Sequence, residues 1–325
     1  MHKETKKGRE GVLRRRHYAV LILALALSLG CLLGARAPQV GAQREGAAST
    51  VLFVVSANKL PAASITPILI IEQGAYKEPV AGDSSAEEIS RFAADYYQKG
   101  RKYRVLFGGS EAGSLTVKRS TKDEECMRTE AEVALQSPAR LNTNVMALAT
   151  NSDALGREPP ASRRAPTASE RAAMLPLARS AFKQKGVPDS LLPSLDTVNL
   201  TAMDLNADGK AELIGSYIVK KIKGGQERYV LFLLAEPQGK GYTAGLTQYA
   251  QYKEEDIMSG GDIDAIGQSG LYTERLVDQI DLDQSGVAEV VTITNGFEGD
   301  SYMIYSKKSG GWQKIYEFGK YRCAF

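Results

Sequence analysis

Asp204-Leu205-Asn206-Ala207-Asp208-Gly209-Lys210-Ala211-Glu212 sets oxygen-bearing side chains on alternate residues around a single glycine. A hard cation such as Ca²⁺ takes six to eight oxygens at about 2.3–2.6 Å, and one short turn can supply most of them. In this spacing Asp204, Asn206 and Asp208 point side-chain oxygens inward, Lys210 gives its backbone carbonyl, and Glu212 closes the site. Gly209 stands where the chain must turn sharply, in a backbone conformation other residues resist. The stretch recurs 77 residues later as Asp281-Leu282-Asp283-Gln284-Ser285-Gly286-Val287-Ala288-Glu289. There Asp281, Asp283 and Glu289 are the carboxylates and Val287 takes the carbonyl position. Ser285 replaces Asp208 with a shorter, poorer ligand, so the first loop is expected to bind more tightly.

The closing ligand falls at the ninth position of each loop, whereas an EF-hand closes with a Glu at the twelfth. The twelfth positions here are Gly215 and Thr292, which argues against a helix–loop–helix site. The flanks agree. Thr197–Met203 and Leu213–Val219 around the first loop, and Leu276–Ile280 and Val290–Thr294 around the second, are short and rich in β-branched residues. This strand–loop–strand form, with its D-x-[DN]-x-D-G-x-x-[DE] spacing, resembles the calcium loops of FG-GAP/VCBS-type (integrin α-like) repeats. The resemblance covers residues 197–325 at most and implies Ca²⁺ held between neighbouring strands of a β-propeller blade. Only two copies are visible and a closed propeller needs several blades. The expectation is therefore a partial propeller-like or sandwich arrangement. The competing reading is a pair of acidic hairpin turns that hold no metal.

The N-terminus sets the compartment. Seven Lys/Arg within residues 1–17 precede an almost wholly apolar run from Tyr18 to Ala35. A basic stretch, an apolar core and a small-residue exit make a secretory signal peptide or a short signal anchor. Val40-Gly41-Ala42 offers a cleavage site, while the length of residues 18–35 also reaches the lower limit for a spanning helix, about 17–25 residues. Both outcomes place the bulk of the chain outside the cytoplasm, in the periplasm or secreted. Contact with a membrane is expected only through this segment, if it is uncleaved.

Residues 1–42 hold eight of the 41 basic side chains and two of the 38 acidic ones, so the remainder carries a net charge of about −3. The overall +3 belongs to the leader, and the electrostatic case for nucleic-acid binding goes with it. Both histidines, His2 and His17, are in the leader as well. Ser-His-Asp and Cys-His catalysis and His-ligated zinc are thereby excluded from the exported part. Two cysteines remain there, Cys126 and Cys323. An even count in an oxidising compartment favours a disulfide between them, against two separate buried thiols.

The fold expected is a β-rich α+β one. Residues 43–150 read as a small β-rich domain with one helix, capped by Ser85-Ala-Glu-Glu88 and burying Ile89, Phe92, Ala93 and Tyr96. Residues 151–167 read as a polar linker whose Arg163-Arg164 pair faces solvent. Residues 168–325 read as a helix, opened by Thr167-Ala-Ser-Glu170 and kinked or split at Pro176, followed by an antiparallel β domain with the two loops. Three functions fit these features. One is a non-catalytic, calcium-stabilised envelope or secreted protein that binds a protein or glycan ligand. The second is a carboxylate-dependent polysaccharide hydrolase, since paired Asp/Glu is the main acid–base chemistry still available. The third is a purely structural domain without metal.

Overall fold

Thr50–Val55 is apolar at nearly every position because both of its faces are covered. In the computed structural model, which describes residues 49–59, 62–156, 162–220, 227–253, 272–296 and 299–321, Val51, Phe53 and Val55 point into one core. Leu52 and Val54 point into another. This strand, β1 (Thr50–Lys59), starts a series continued by β2 (Ala62–Glu72), β3 (Ala75–Lys77), β4 (Lys102–Phe107), β5 (Ser110–Ser120), β6 (Ala131–Gln136) and β7 (Ala147–Thr150). They pair in the order β1-β7-β4-β5-β6-β2-β3, and β1 also pairs with β2. The sheet thus closes on itself as a six-stranded antiparallel barrel with β3 added outside β2, which removes the open edges of the six strands. Helix α1 (Ala86–Tyr96) is held by the Ser85/Glu88 capping box and buries Ile89, Phe92 and Ala93, while Tyr96, expected to be buried with them, is only half-buried against the same core. Phe92 and Ala93 belong to the core that fills the barrel.

The second half builds two four-stranded antiparallel meanders. The first consists of β8 (Asp196–Met203), β9 (Glu212–Lys220), β10 (Arg228–Gln238) and β11 (Gly241–Tyr252), the second of β12 (Glu274–Ile280), β13 (Glu289–Asn295), β14 (Gly299–Lys308) and β15 (Gly311–Tyr321). Each carries one of the two loops between its first and second strands. The β-rich α+β class read from the sequence is the one observed.

Three contact layers stack these parts. Helix α2 (Ala168–Gln184) lays Met174, Ala178, Ala181 and Phe182 on the outer face of the first meander. Full burial of Met174 and Phe182 contributes roughly 1.5–3 kcal/mol each. The inner face of that meander meets the second through Phe232, Leu234, Leu246, Leu276, Met303 and Trp312. The far face of the second, with Val277, Val291, Ile293 and Ile304, packs on Leu52, Leu69, Leu106 and Leu148 of the barrel. The continuous packing makes Ser49–Phe325 one compact unit.

Two local expectations are corrected. Helix α2 is one element through Pro176 and is not split there, with Thr167 and Glu170 forming its capping box. Arg163 does not face solvent: its side chain is 6% exposed and lies 4.6 Å over the Phe107 ring. It donates to the carbonyls of Met146 (3.0 Å) and Val277 (2.7 Å), so the 151–167 stretch contributes to the packing between barrel and second meander. Arg164 keeps the expected exposure and pairs with Glu170 at 2.6 Å. The leader, Cys323 and the Lys223-Gly224-Gly225 turn lie outside the described residues.

Candidate metal centre

The two loops are one structure built twice. Asp204 accepts from the backbone N–H of Asp208 (3.2 Å) and of Gly209 (2.9 Å). Asp281 accepts from Ser285 (3.0 Å) and Gly286 (2.9 Å) in the same way. The third-position side chains repeat the match, Asn206 holding the Asp208 N–H and Asp283 the Ser285 N–H, each at 3.1 Å. Gly209 and Gly286 both have φ of 83°, and Ala207 and Gln284 have φ of 56° and 57°. Only the glycine positions announce this left-handed turn in the sequence. At Ala207 and Gln284 the tightness of the loop imposes it on side-chain-bearing residues, at some cost in strain.

Each loop is closed from inside the core. Glu212 and Glu289 are 4% and 0% exposed. Their Oε2 atoms accept the N–H of Leu205 and Leu282, both at 2.8 Å. Leu205 and Leu282 are themselves buried, which turns the second residue of each loop into an anchor. Burial raises the pKa of both glutamates, and the neighbouring loop carboxylates push the same way. Asp283 is lowered instead, first by its hydrogen bond with Ser285 and then by Lys308, whose Nζ lies 2.9 Å from Oδ2.

Asp281, Asp283 and Glu289 each bring a carboxylate oxygen within 4.8 Å of the other two, the one such acidic group among the described residues. The donor set is all oxygen. Ser285 Oγ lies 3.3 Å from the Val287 carbonyl oxygen, so the hydroxyl and carbonyl positions of that loop are also adjacent. Three crowded carboxylates, one of them fully buried, fit a hard divalent cation that would offset their repulsion. In the first loop Asp204, Asn206, Asp208 and Glu212 take the corresponding positions. Asp208 Oδ1 is occupied by the Lys210 N–H at 2.8 Å, while the Lys210 side chain is exposed.

A polar cluster missed in the sequence sets the loops against the barrel. Both Asp278 oxygens accept the Gly108 N–H at 3.0 Å. Gln279 Nε2 donates to the Gly108 carbonyl (2.8 Å) and to Ser162 Oγ (3.0 Å), and Ser162 Oγ accepts the Asp204 N–H at 3.0 Å. The barrel turn, the strand before the second loop and the start of the first loop thus share one network. Gly109 must be a glycine here: its φ is +85° and an added Cβ would lie 3.0 Å from Gln279 Nε2. The signal available was Asp278-Gln279, two polar residues between the apolar Leu276-Val277 and Ile280 of one strand. Asp204, Gln279 and Asp281 then line a common cavity of about 460 Å³.

Cys126 is disulfide-bonded, and Lys320 Nζ reaches Glu130 Oε1 at 2.5 Å, which brings the end of β15 to the segment that carries Cys126. No family model, curated protein or solved structure matches the chain.

Proposed function

We propose that the chain is an exported, non-catalytic calcium-binding protein, secreted or held in the cell envelope. Its two FG-GAP/VCBS-like loops stabilise a β-rich body that binds a protein or glycan ligand. The observation that carries this reading is the gathering of Asp281, Asp283 and Glu289 oxygens within 4.8 Å. Asp281, Asp283 and Glu289 would hold Ca²⁺ with the Ser285 hydroxyl and the Val287 carbonyl. Asp204, Asn206, Asp208, Glu212 and the Lys210 carbonyl would hold a second ion. All-oxygen sets of this size suit Ca²⁺ better than the softer transition metals, which favour nitrogen and sulfur. Export is supported by the basic and apolar N-terminal sequence and by the oxidised state of Cys126.

The test is a calorimetric titration of chelator-stripped protein with CaCl₂, repeated with MgCl₂ and ZnCl₂. The reading expects saturable Ca²⁺ binding that Asp281→Ala weakens. Absence of binding up to several millimolar Ca²⁺, the range of extracellular modules (about 10⁻⁴–10⁻³ M), would overturn it.

A further inference from the structure

The two meanders face each other through an apolar core near the loops, but the same inner face turns polar toward the other ends of the strands. Along β12 Leu276 gives way to Glu274, and along β11 Leu246 gives way to Gln248. Along β13 Val290 is followed by Thr292 and Thr294, and along β14 Met303 is followed by Ser301. Alternate residues of a strand share one face, so these are inner-face positions that a simple sandwich would fill with apolar side chains. The sheets part there around a cavity of about 280 Å³.

Aromatic rings line it. Phe232 and Tyr305 are buried beneath it and stack at 6.1 Å with an interplanar angle of 18°, while the half-buried Tyr252 and Tyr272 flank it and approach to 4.9 Å at 36°. Tyr272 holds a left-handed backbone, φ +58°, a strained conformation for a residue with a side chain. Such strain persists where the surroundings impose it, often at a binding site. Its N–H is fixed on the Asn295 carbonyl at 2.7 Å. Glu274 sits at the polar wall, oriented by Thr292 Oγ1 at 2.6 Å, and the exposed Lys314–Glu317 ion pair stands at the rim.

We infer that this cleft is a binding site for a pyranose sugar. The ring C–H faces of a sugar are weakly positive and apolar and match the negative faces of aromatic rings. Its hydroxyls both donate and accept, and so need the mixed set supplied by Glu274, Gln248, Glu317 and Lys314. The volume is near the lower end of small-molecule sites, about 300 Å³, which suits one ring better than an extended chain. The inference deepens the glycan-binding part of the function proposed above and does not depend on its calcium part.

The probes are methyl β-glucoside, methyl α-mannoside and N-acetylglucosamine, with N-acetyl-tyrosinamide as the peptide-like competitor, read by saturation-transfer NMR on the whole exported chain. At least one pyranoside should receive saturation at its ring protons, with and without chelator. Its affinity should fall about tenfold in Tyr252→Ala and measurably in Lys314→Ala, an exposed change that leaves the fold alone. Lys314→Ala should also leave any calcium-induced rise in melting temperature unchanged, so failure here is distinct from failure of the calcium reading. No transfer to any pyranoside, wild-type affinity in Lys314→Ala and folded Tyr252→Ala, or displacement of the sugar by N-acetyl-tyrosinamide would overturn the assignment.

Discussion

The backbone N–H of Ala288 donates to the carbonyl of Leu205 at 2.7 Å, joining the eighth residue of the second loop to the second residue of the first. Leu205 is also the residue whose N–H is held by Glu212, and Ala288 precedes Glu289. An ion that orders one loop therefore orders a peptide bonded directly to the other. Coupling between sites joined in this way is expected to be positive and reciprocal. With Asp204→Ala, calorimetric titration should find the remaining site weakened by about fivefold or more, the lower end of usual coupling. Wild-type affinity at that site would mean that the loops act independently.

Glu289 accepts from Leu282 N–H and from Ser306 Oγ (2.9 Å) while fully buried. Removing its carboxylate leaves two donors without partners. In excess chelator, where no metal term enters, Glu289→Ala should lower unfolding free energy by about 2–4 kcal/mol. Denaturant titration measures it, and a change under 1 kcal/mol would show that water replaces the carboxylate freely.

Burial lifts the Asp278 carboxyl from an ordinary 3.8 to about 6, against the opposing pull of Arg163 at 3.4 Å and the Gly108 N–H. Between these values the folded chain holds a proton that the unfolded chain has released. Stability contributed by this group is therefore present at low pH and is lost as pH rises from about 4 through about 6, by about 3 kcal/mol. Asp278→Asn should remove that slope. Stability curves of wild type and variant in chelator, compared between pH 4 and 7, should diverge in this window and run parallel above it. Parallel curves throughout would contradict the assignment.

The features legible in the sequence are those set by near neighbours. Ser85 with Glu88 and Thr167 with Glu170 announce both helix starts, because a capping box is complete within four residues. The loops are legible for the same reason. Barrel closure is not, since it depends on pairings such as Phe53 with Ala149 that no local pattern encodes. Arg163 misleads because its neighbours Ser162 and Arg164 are polar, while its partners Phe107, Met146, Val277 and Asp278 come from distant parts of the chain. The inner-face polar residues Glu274 and Gln248 have meaning only once the facing sheet is known.

The disulfide at Cys126 is expected to end at Cys323. Peptide mapping of unreduced protein should recover the Cys126–Cys323 pair. Reduction should cost about 2–5 kcal/mol, as for other long closed loops. A linkage from Cys126 to any cysteine other than Cys323, or between chains, would contradict the expectation.

The most direct test is the melting temperature of metal-free protein with and without millimolar Ca²⁺. If the folded loops bind the ion and the unfolded chain hardly does, binding must raise stability, by about 1.4 kcal/mol when free Ca²⁺ is tenfold above the dissociation constant. Ca²⁺ should raise the melting temperature by several degrees, Mg²⁺ by less, and Asp281→Ala should remove part of the increase. An unchanged melting curve in protein shown to be metal-free at the start would contradict the calcium assignment.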